Sequence, residues 1–101
     1  MSSTSETPVL DLLGAMTLES IEVSSLDPSE LMLVRVAALV AVDAPAVSYA
    51  TNLEAIASVG IDVERVRGVL AAVAPIVGTA RIASATVKIA EVLDVALEEV
   101  S

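Results

Sequence analysis

The amino-acid sequence predicts an all-α protein, a compact bundle of about five helices that assembles into a symmetric oligomer. Apolar residues recur at steps of three and four along several segments, which is the period of an amphipathic helix. Helix start signals precede these segments, as in the pair Asp27-Pro28. No segment alternates apolar and polar residues between hairpin turns, so the abundant valine does not indicate strands.

The length of 101 residues fits a single domain, 1–101. Residues 1–6 are polar, and we expect them to be frayed or disordered. Thr7 and Pro8 then predict a cap and the first position of a helix that runs to about Leu18. The mixed stretch from Glu19 to Leu26 is predicted to be a loop.

The second helix has the strongest start signal. Asp27, Pro28 and Glu30 supply a capping acid, a proline at the first helical position and an acceptor two residues later, as in a capping box. The helix continues from Leu31 to about Val42 and is apolar almost all round, with Arg35 as its only charge. Such a helix lies in the centre of a domain or between subunits.

Asp43 is the expected cap of the third helix, which runs to about Val59 and ends at Gly60. Asp62 is the expected cap of the fourth, and Pro75 and Gly78 are expected to end or kink it.

The last helix is predicted over about Thr79 to Glu98, because apolar residues recur along it at helical spacing. Its acidic side chains (Glu91, Asp94, Glu98 and Glu99) are interpreted as a solvated face.

Composition excludes several chemistries. The chain has no Cys and no His, so it lacks thiolate nucleophiles, zinc–sulfur sites and the commonest metal ligand, and we expect no metal and no cofactor. The net charge is −9 and the five cations are scattered, which argues against nucleic acid and anionic membranes as partners. The longest uncharged stretch, 68–80, is shorter than a membrane span, and residues 1–8 lack the features of a signal peptide. We therefore expect a cytoplasmic protein.

Charged residues make up only 19% of the chain, which is too few to cover the surface of a small monomer. Large exposed apolar patches usually mark interaction surfaces, so we expect a homo-oligomer, with a possible protein partner. The alternative is a monomer whose alanine-rich faces are simply exposed.

Four residues are candidates for a small-molecule site: Arg35, Ser48, Tyr49 and Asn52. Ser48 and Asn52 share a polar helix face with Thr51, which either lines a pocket or packs against a neighbouring helix with its hydroxyls bonded back. Tyr49, the only aromatic residue, either lines a pocket or interface or belongs to the core. Arg35 is expected to pair with a carboxylate (Glu30, Asp43 or Glu54) across helices or subunits, and binding of an anionic ligand is the alternative.

The order of signals over about two-thirds of the chain resembles the carboxymuconolactone decarboxylase family, which includes the AhpD-like alkylhydroperoxidases. The resemblance runs from Leu26 to Leu93, with residues 27–93 as its core, and four segments of this range carry it. They are Leu26-Asp27-Pro28, Ala57-Ser58-Val59-Gly60, Asp62-Val63-Glu64-Arg65-Val66 and Ala74-Pro75-Ile76-Val77-Gly78. The resemblance implies an all-α bundle that assembles as trimers or hexamers.

The family's chemical residues are replaced in this sequence. The two Cys positions of its peroxidase motif fall on Pro45 and Ser48, the His position on Asn52, and the assisting Glu near Leu33. A serine without an adjacent base is a weak nucleophile, so the family's activity is expected to be lost. The sequence predicts a catalytically degenerate relative that acts as an oligomeric structural or interaction module. The alternatives are a small-molecule binder or an enzyme with altered chemistry in the residual pocket, and an unrelated helical adaptor or membrane-associating assembly.

Overall fold

The computed structural model describes residues 6–58, 60 and 62–93, and this part of the chain forms five α-helices. No strand occurs in this part of the chain, so the all-α prediction is confirmed. The helices are α1 (Pro8–Val23), α2 (Pro28–Ala41), α3 (Ala46–Ser58), α4 (Val63–Val77) and α5 (Thr79–Leu93).

The hydrophobic core belongs to four of the five helices. Helix α2 packs against α3, α4 and α5, and α5 also packs against α3 and α4. Helix α1 contributes no buried residue, so the predicted five-helix bundle is a four-helix bundle with an additional surface helix. The buried residues are Met32, Val36, Val40, Ala44, Tyr49, Leu53, Ile56, Val66, Leu70, Ala85 and Ile89.

The capping box predicted at the start of α2 is present. The Asp27 carboxylate accepts a hydrogen bond from the Glu30 backbone N–H at 2.9 Å, and the Glu30 carboxylate accepts one from the Asp27 N–H at 3.2 Å. Two N–H groups that would otherwise lack partners are thereby satisfied. Asp62 likewise caps α4, accepting from the Arg65 N–H at 3.1 Å.

Helix α1 is longer than predicted. It continues past Leu18 to Val23, so most of the expected loop is helical. No glycine or proline interrupts this stretch, and Arg35 of α2 holds the end of the helix by hydrogen bonds to Thr17 and Ser20. The chain leaves the helix at Ser24, which is extended.

Asp43 does not cap α3, contrary to the prediction. It lies in the turn between α2 and α3 with a left-handed φ of 53°, and its carboxylate is bonded to Ser84 and Lys88 of α5. Helix α3 begins at Ala46, three residues after Asp43.

Glycines follow α3 and α4, as predicted. Gly60 has a φ of 80° and donates its N–H to the Ala57 carbonyl at 3.2 Å. Helix α4 continues through Pro75 to Val77 and stops at Gly78, whose φ is 88°. Pro75 is tolerated because it removes only one hydrogen bond, close to the helix end.

Some predictions fall outside the described residues. They concern residues 1–5, the end of the third helix at Val59, and the acidic stretch with Asp94, Glu98 and Glu99. Within the described part of α5, Ile89 is buried, and Ile82, Thr86 and Leu93 are half-buried along the predicted stripe.

Candidate functional site

A groove of about 440 Å³ lies between α1 and the bundle. Its volume falls within the range of small-molecule sites, about 300–1,000 Å³. The α1 side of the groove is mostly apolar, whereas the bundle side carries one charged and two polar side chains from α2 and α3. The lining residues are Leu13, Met16, Thr17, Ser20, Ile21, Met32, Arg35, Thr51, Asn52 and Ala55.

Arg35 is half-buried in this groove and forms no ion pair with any carboxylate of the described residues. Its guanidinium instead donates to the Thr17 carbonyl at 3.3 Å and to the Ser20 hydroxyl. The expected pairing with Glu30, Asp43 or Glu54 is therefore wrong within the chain, and pairing across subunits stays a prediction. Glu30 is engaged in the α2 capping box, and Asp43 is paired with Lys88.

Asn52 and Thr51 line the same groove from α3. The Asn52 amide donates to the Ser48 carbonyl one turn earlier at 3.3 Å, and the Thr51 hydroxyl donates to the Val47 carbonyl at 3.3 Å. Both polar groups are therefore bonded back to their own helix, as in the packing interpretation of this face. The Asn52 amide oxygen accepts no hydrogen bond from a described donor, so the side chain keeps an acceptor.

The other two candidates do not line the groove. Ser48 contributes its carbonyl to the bond with Asn52 and is itself half-buried. Tyr49 is 0% exposed in the bundle core, and its hydroxyl has no hydrogen-bond partner among the described residues. Of the four predicted site residues, the structure thus brings together Arg35 and Asn52.

Burial raises the pKa of the Tyr49 phenol above its usual value, and the negative charge of Asp43 adds to the effect. Both causes penalise the phenolate, because a charged group is poorly solvated in a core and repelled by a carboxylate. Tyr49 is therefore a neutral core residue at physiological pH, which agrees with the core interpretation and not with a pocket.

A polar cluster that the sequence did not reveal ties the α2–α3 turn to α5. One carboxylate oxygen of Asp43 accepts from the Ser84 hydroxyl at 2.7 Å and from the Lys88 ammonium at 3.1 Å. Lys88 also donates to the Ala44 carbonyl at 2.8 Å. Spacing of four residues places Ser84 and Lys88 on one face of α5, but no signal in the sequence connects them with Asp43.

The hydrogen bonds from Ser84 and Lys88 lower the pKa of the Asp43 carboxyl below its usual value. The Lys88 ammonium and the Ser84 hydroxyl both act as hydrogen-bond donors to the Asp43 carboxylate. Neither of them is therefore placed to accept a proton from the other. The cluster therefore acts as a polar clamp between two elements rather than as a nucleophilic site.

The described part of the chain contains no group of three or more His, Cys, Asp or Glu side chains arranged to hold an ion. Glu91 of the predicted acidic face is exposed. The described helices also include none with the length and apolar character needed to cross a membrane.

The most unusual surface lies on α1. Every residue of this helix is exposed, including eight large apolar side chains whose exposed fractions range from 43% to 77%. Water is a poor environment for so much apolar surface on one helix, and patches of this kind mark interaction sites. The eight residues are Val9, Leu10, Leu12, Leu13, Met16, Leu18, Ile21 and Val23.

Comparison of the chain with protein-family models, curated proteins and solved structures found no match in any of the three. The resemblance to the carboxymuconolactone decarboxylase family therefore rests on the sequence pattern alone.

Proposed function

We propose that the protein is a non-catalytic, self-assembling interaction module. The observation that carries this proposal is α1, a helix of 16 residues that buries none of its side chains within its own chain. A helix with that many apolar residues is stabilised in water when another surface covers it. Self-association supplies such a surface without a second gene product.

The chemistry of the chain supports the non-catalytic part of the proposal. The positions that match the family's Cys and His residues carry Pro45, Ser48 and Asn52. Asn52 is bonded to its own helix, and the Ser48 hydroxyl forms no hydrogen bond with a carboxylate of the described residues. On this proposal the chain is a relative of the carboxymuconolactone decarboxylase family that keeps helices and glycines and has lost the redox centre. The family's trimers or hexamers are the assemblies that the resemblance implies, in the cytoplasm.

The experiment is the mass of the protein in solution, measured by light scattering after gel filtration over a dilution series. A mass of two or more chains that falls only at high dilution supports the proposal. A monomer at every concentration overturns it.

A second function, binding of a small carboxylate ligand, is favoured by one specific observation. Arg35 carries a positive charge into a largely apolar groove, and no described carboxylate neutralises it. An arginine fork recognises carboxylates in a bidentate manner. Calorimetric titration with decanoate, with decanol as the control for the apolar part, tests this function. Binding of decanoate that Arg35→Gln weakens would favour it, and equal binding of both compounds would remove it.

A further inference from the structure

The apolar surface of α1 contains an ordered stripe. Val9, Leu12, Met16 and Val23 follow one another at steps of three, four and seven residues, which is the spacing of the contact positions in a coiled coil. At about 100° per residue they fall within a sector about 60° wide. Glu19 occupies the position of this repeat between Met16 and Val23.

This stripe, called the α1 stripe below, lies beside the face of α1 that lines the groove. Leu13, Thr17 and Ile21 project from an adjacent sector, and all three line the groove. Val9, Leu12 and Val23 do not line it, and these residues are 59% to 77% exposed. Met16 also lines the groove, but it is still 56% exposed. Most of the stripe therefore remains available when α1 rests on its own bundle.

Charge argues against an anionic lipid surface as the covering partner. Helix α1 carries Asp11, Glu19 and Glu22 and no Lys or Arg. Binding to anionic lipid depends on cationic side chains near the surface, and α1 has none. If the α1 helices of two copies pack together, their six acidic side chains are tolerated only at the solvated rim of the contact. The three acids fall in a sector about 80° wide, on the side of the α1 stripe away from the groove.

Symmetry makes the α1 stripe complementary to itself. In a two-fold pair of antiparallel helices centred on Met16, Val9 of one copy lies opposite Val23 of the other, because these residues are both seven positions from the centre. Leu12 then faces the region of Glu19 and Ser20 of the second copy. Antiparallel packing also places opposite ends of the helix dipoles next to each other.

The α1 stripe offers the apolar area of a small interface. A fully exposed Val, Leu, Ile or Met side chain presents on the order of 100 Å² of apolar surface. The four side chains of the stripe therefore offer about 260 Å² per chain, or about 520 Å² for two chains, at the exposures given above. Since interfaces are about 60% apolar, this corresponds to a total of about 900 Å², which is below the standard 1,600 Å² and is typical of weak, reversible association.

From these observations we propose that the α1 stripe packs antiparallel against the α1 stripe of a second copy of this chain, with the two-fold axis next to Met16. This inference rests on the proposed self-assembly and names the surface responsible for it. A dimer contains such an axis, and so does a hexamer built from three dimers. A closed trimer contains none.

The absence of cysteine in the native chain makes the test direct. Met16→Cys introduces one thiol next to the proposed axis, where two helices in contact bring their Cα atoms within reach of a disulfide. Ile76→Cys is the matched control, because Ile76 is 86% exposed and belongs to α4, not to the α1 stripe. Under mild oxidation we expect Met16→Cys to form a disulfide-linked dimer quantitatively and Ile76→Cys to remain mostly unlinked.

The outcomes separate this inference from the proposed function. If the unmodified protein is a monomer, both fail, and co-sedimentation of that monomer with vesicles of zwitterionic lipid would show that lipid covers α1. If it is a trimer, or an oligomer in which Met16→Cys links no better than Ile76→Cys, self-assembly stands and the α1 stripe is the wrong surface.

A second pair of variants measures the contribution of the stripe. Leu12→Gln combined with Val23→Gln removes two apolar contacts while keeping helix-compatible residues, and we expect the dissociation constant to rise by at least about tenfold. Val42→Gln combined with Ile76→Gln makes an equal change on exposed positions of the bundle and should leave the constant unchanged. Circular dichroism establishes that both variants keep their helices. Equal effects of the two pairs would refute the assignment.

Discussion

Replacing Tyr49 with phenylalanine should stabilise the bundle. The Tyr49 side chain is 0% exposed, and its hydroxyl finds no acceptor or donor among the described residues. In the unfolded chain the same hydroxyl is hydrogen-bonded to water. Folding therefore costs the free energy of removing a polar group from water with nothing in return.

The magnitude follows from two opposing contributions. A buried hydroxyl without a partner costs about 1–3 kcal/mol, and Tyr49→Phe removes this cost. The void left by the oxygen atom, about 15 Å³, costs about 0.4 kcal/mol at the rate observed for core cavities. We expect a net stabilisation of about 1 kcal/mol, which raises the melting temperature of a domain this size by about 5 °C.

The assay is urea unfolding followed by circular dichroism, since Tyr49 is the only aromatic residue and its loss removes intrinsic fluorescence. Tyr49→Leu is the matched control: it also removes the hydroxyl but changes the shape of the core, and it should destabilise the protein. A destabilised Tyr49→Phe variant would refute the reasoning, because it would mean that a water molecule or a second subunit holds the hydroxyl in the native protein.

Alkaline pH provides an independent check on Tyr49. Its folded-state pKa is raised above the usual value of about 10, so the unfolded chain loses this proton first. The contribution of Tyr49 to the free energy of unfolding is therefore fully present below pH 10, and it is lost as pH rises from there toward the folded-state pKa. Tyr49→Phe should lack this part of the alkaline decline.

Three further predictions concern other parts of the chain. Asp43 has a lowered folded-state pKa, so the stability that its carboxylate contributes is present above about pH 4 and is lost as pH falls further. Asp43→Asn tolerates the left-handed φ and should flatten this decline when the free energy of unfolding is measured against pH. Leu70→Ala should lower the free energy of unfolding by about 2–5 kcal/mol, because Leu70 is buried, whereas Leu12→Ala should change that of the monomer by less than about 0.5 kcal/mol. Equal losses in urea unfolding would place α1 in the core. Asp27→Ala should lower the free energy of unfolding by about 1 kcal/mol through loss of the capping box, whereas Thr7→Ala should lower it much less, because the Thr7 hydroxyl bonds to a side chain and not to a capping backbone N–H. A similar loss in both variants would contradict the cap assignment.

Part of the candidate site was predictable from local pattern. Arg35 and Asn52 were recognised as polar residues on otherwise apolar or small helix faces, and the structure places both in one groove. For Tyr49 the sequence allows a core, pocket or interface position, because the sequence carries no signal for the direction in which a single aromatic residue of a helix faces. Its neighbours on α3 decide the question, since Leu53 and Ile56 face the core with it.

The partners of charged residues were the least predictable. Asp43 follows a helix and precedes a proline-containing start, so the cap assignment was reasonable from sequence alone. Its actual partners, Ser84 and Lys88, lie 41 and 45 residues away. The same applies to Arg35, whose partners on α1 lie 18 and 15 residues earlier and include a backbone carbonyl, which no side-chain pattern reveals.

The sequence by itself determined the helical class, the caps at Asp27 and Asp62, and the glycines that follow α3 and α4, because these depend on periodicity and on groups within a few residues of one another. Only the tertiary structure decided that α1 stays outside the core and that Asp43 and Arg35 bond to distant elements. The apolar residues of α1 resemble those of the buried helices, and only the packing of α2 to α5 against one another excludes α1 from the core. Burial is a property of the whole assembly of helices, so a local pattern shows that a helix has an apolar face but not which surface covers it.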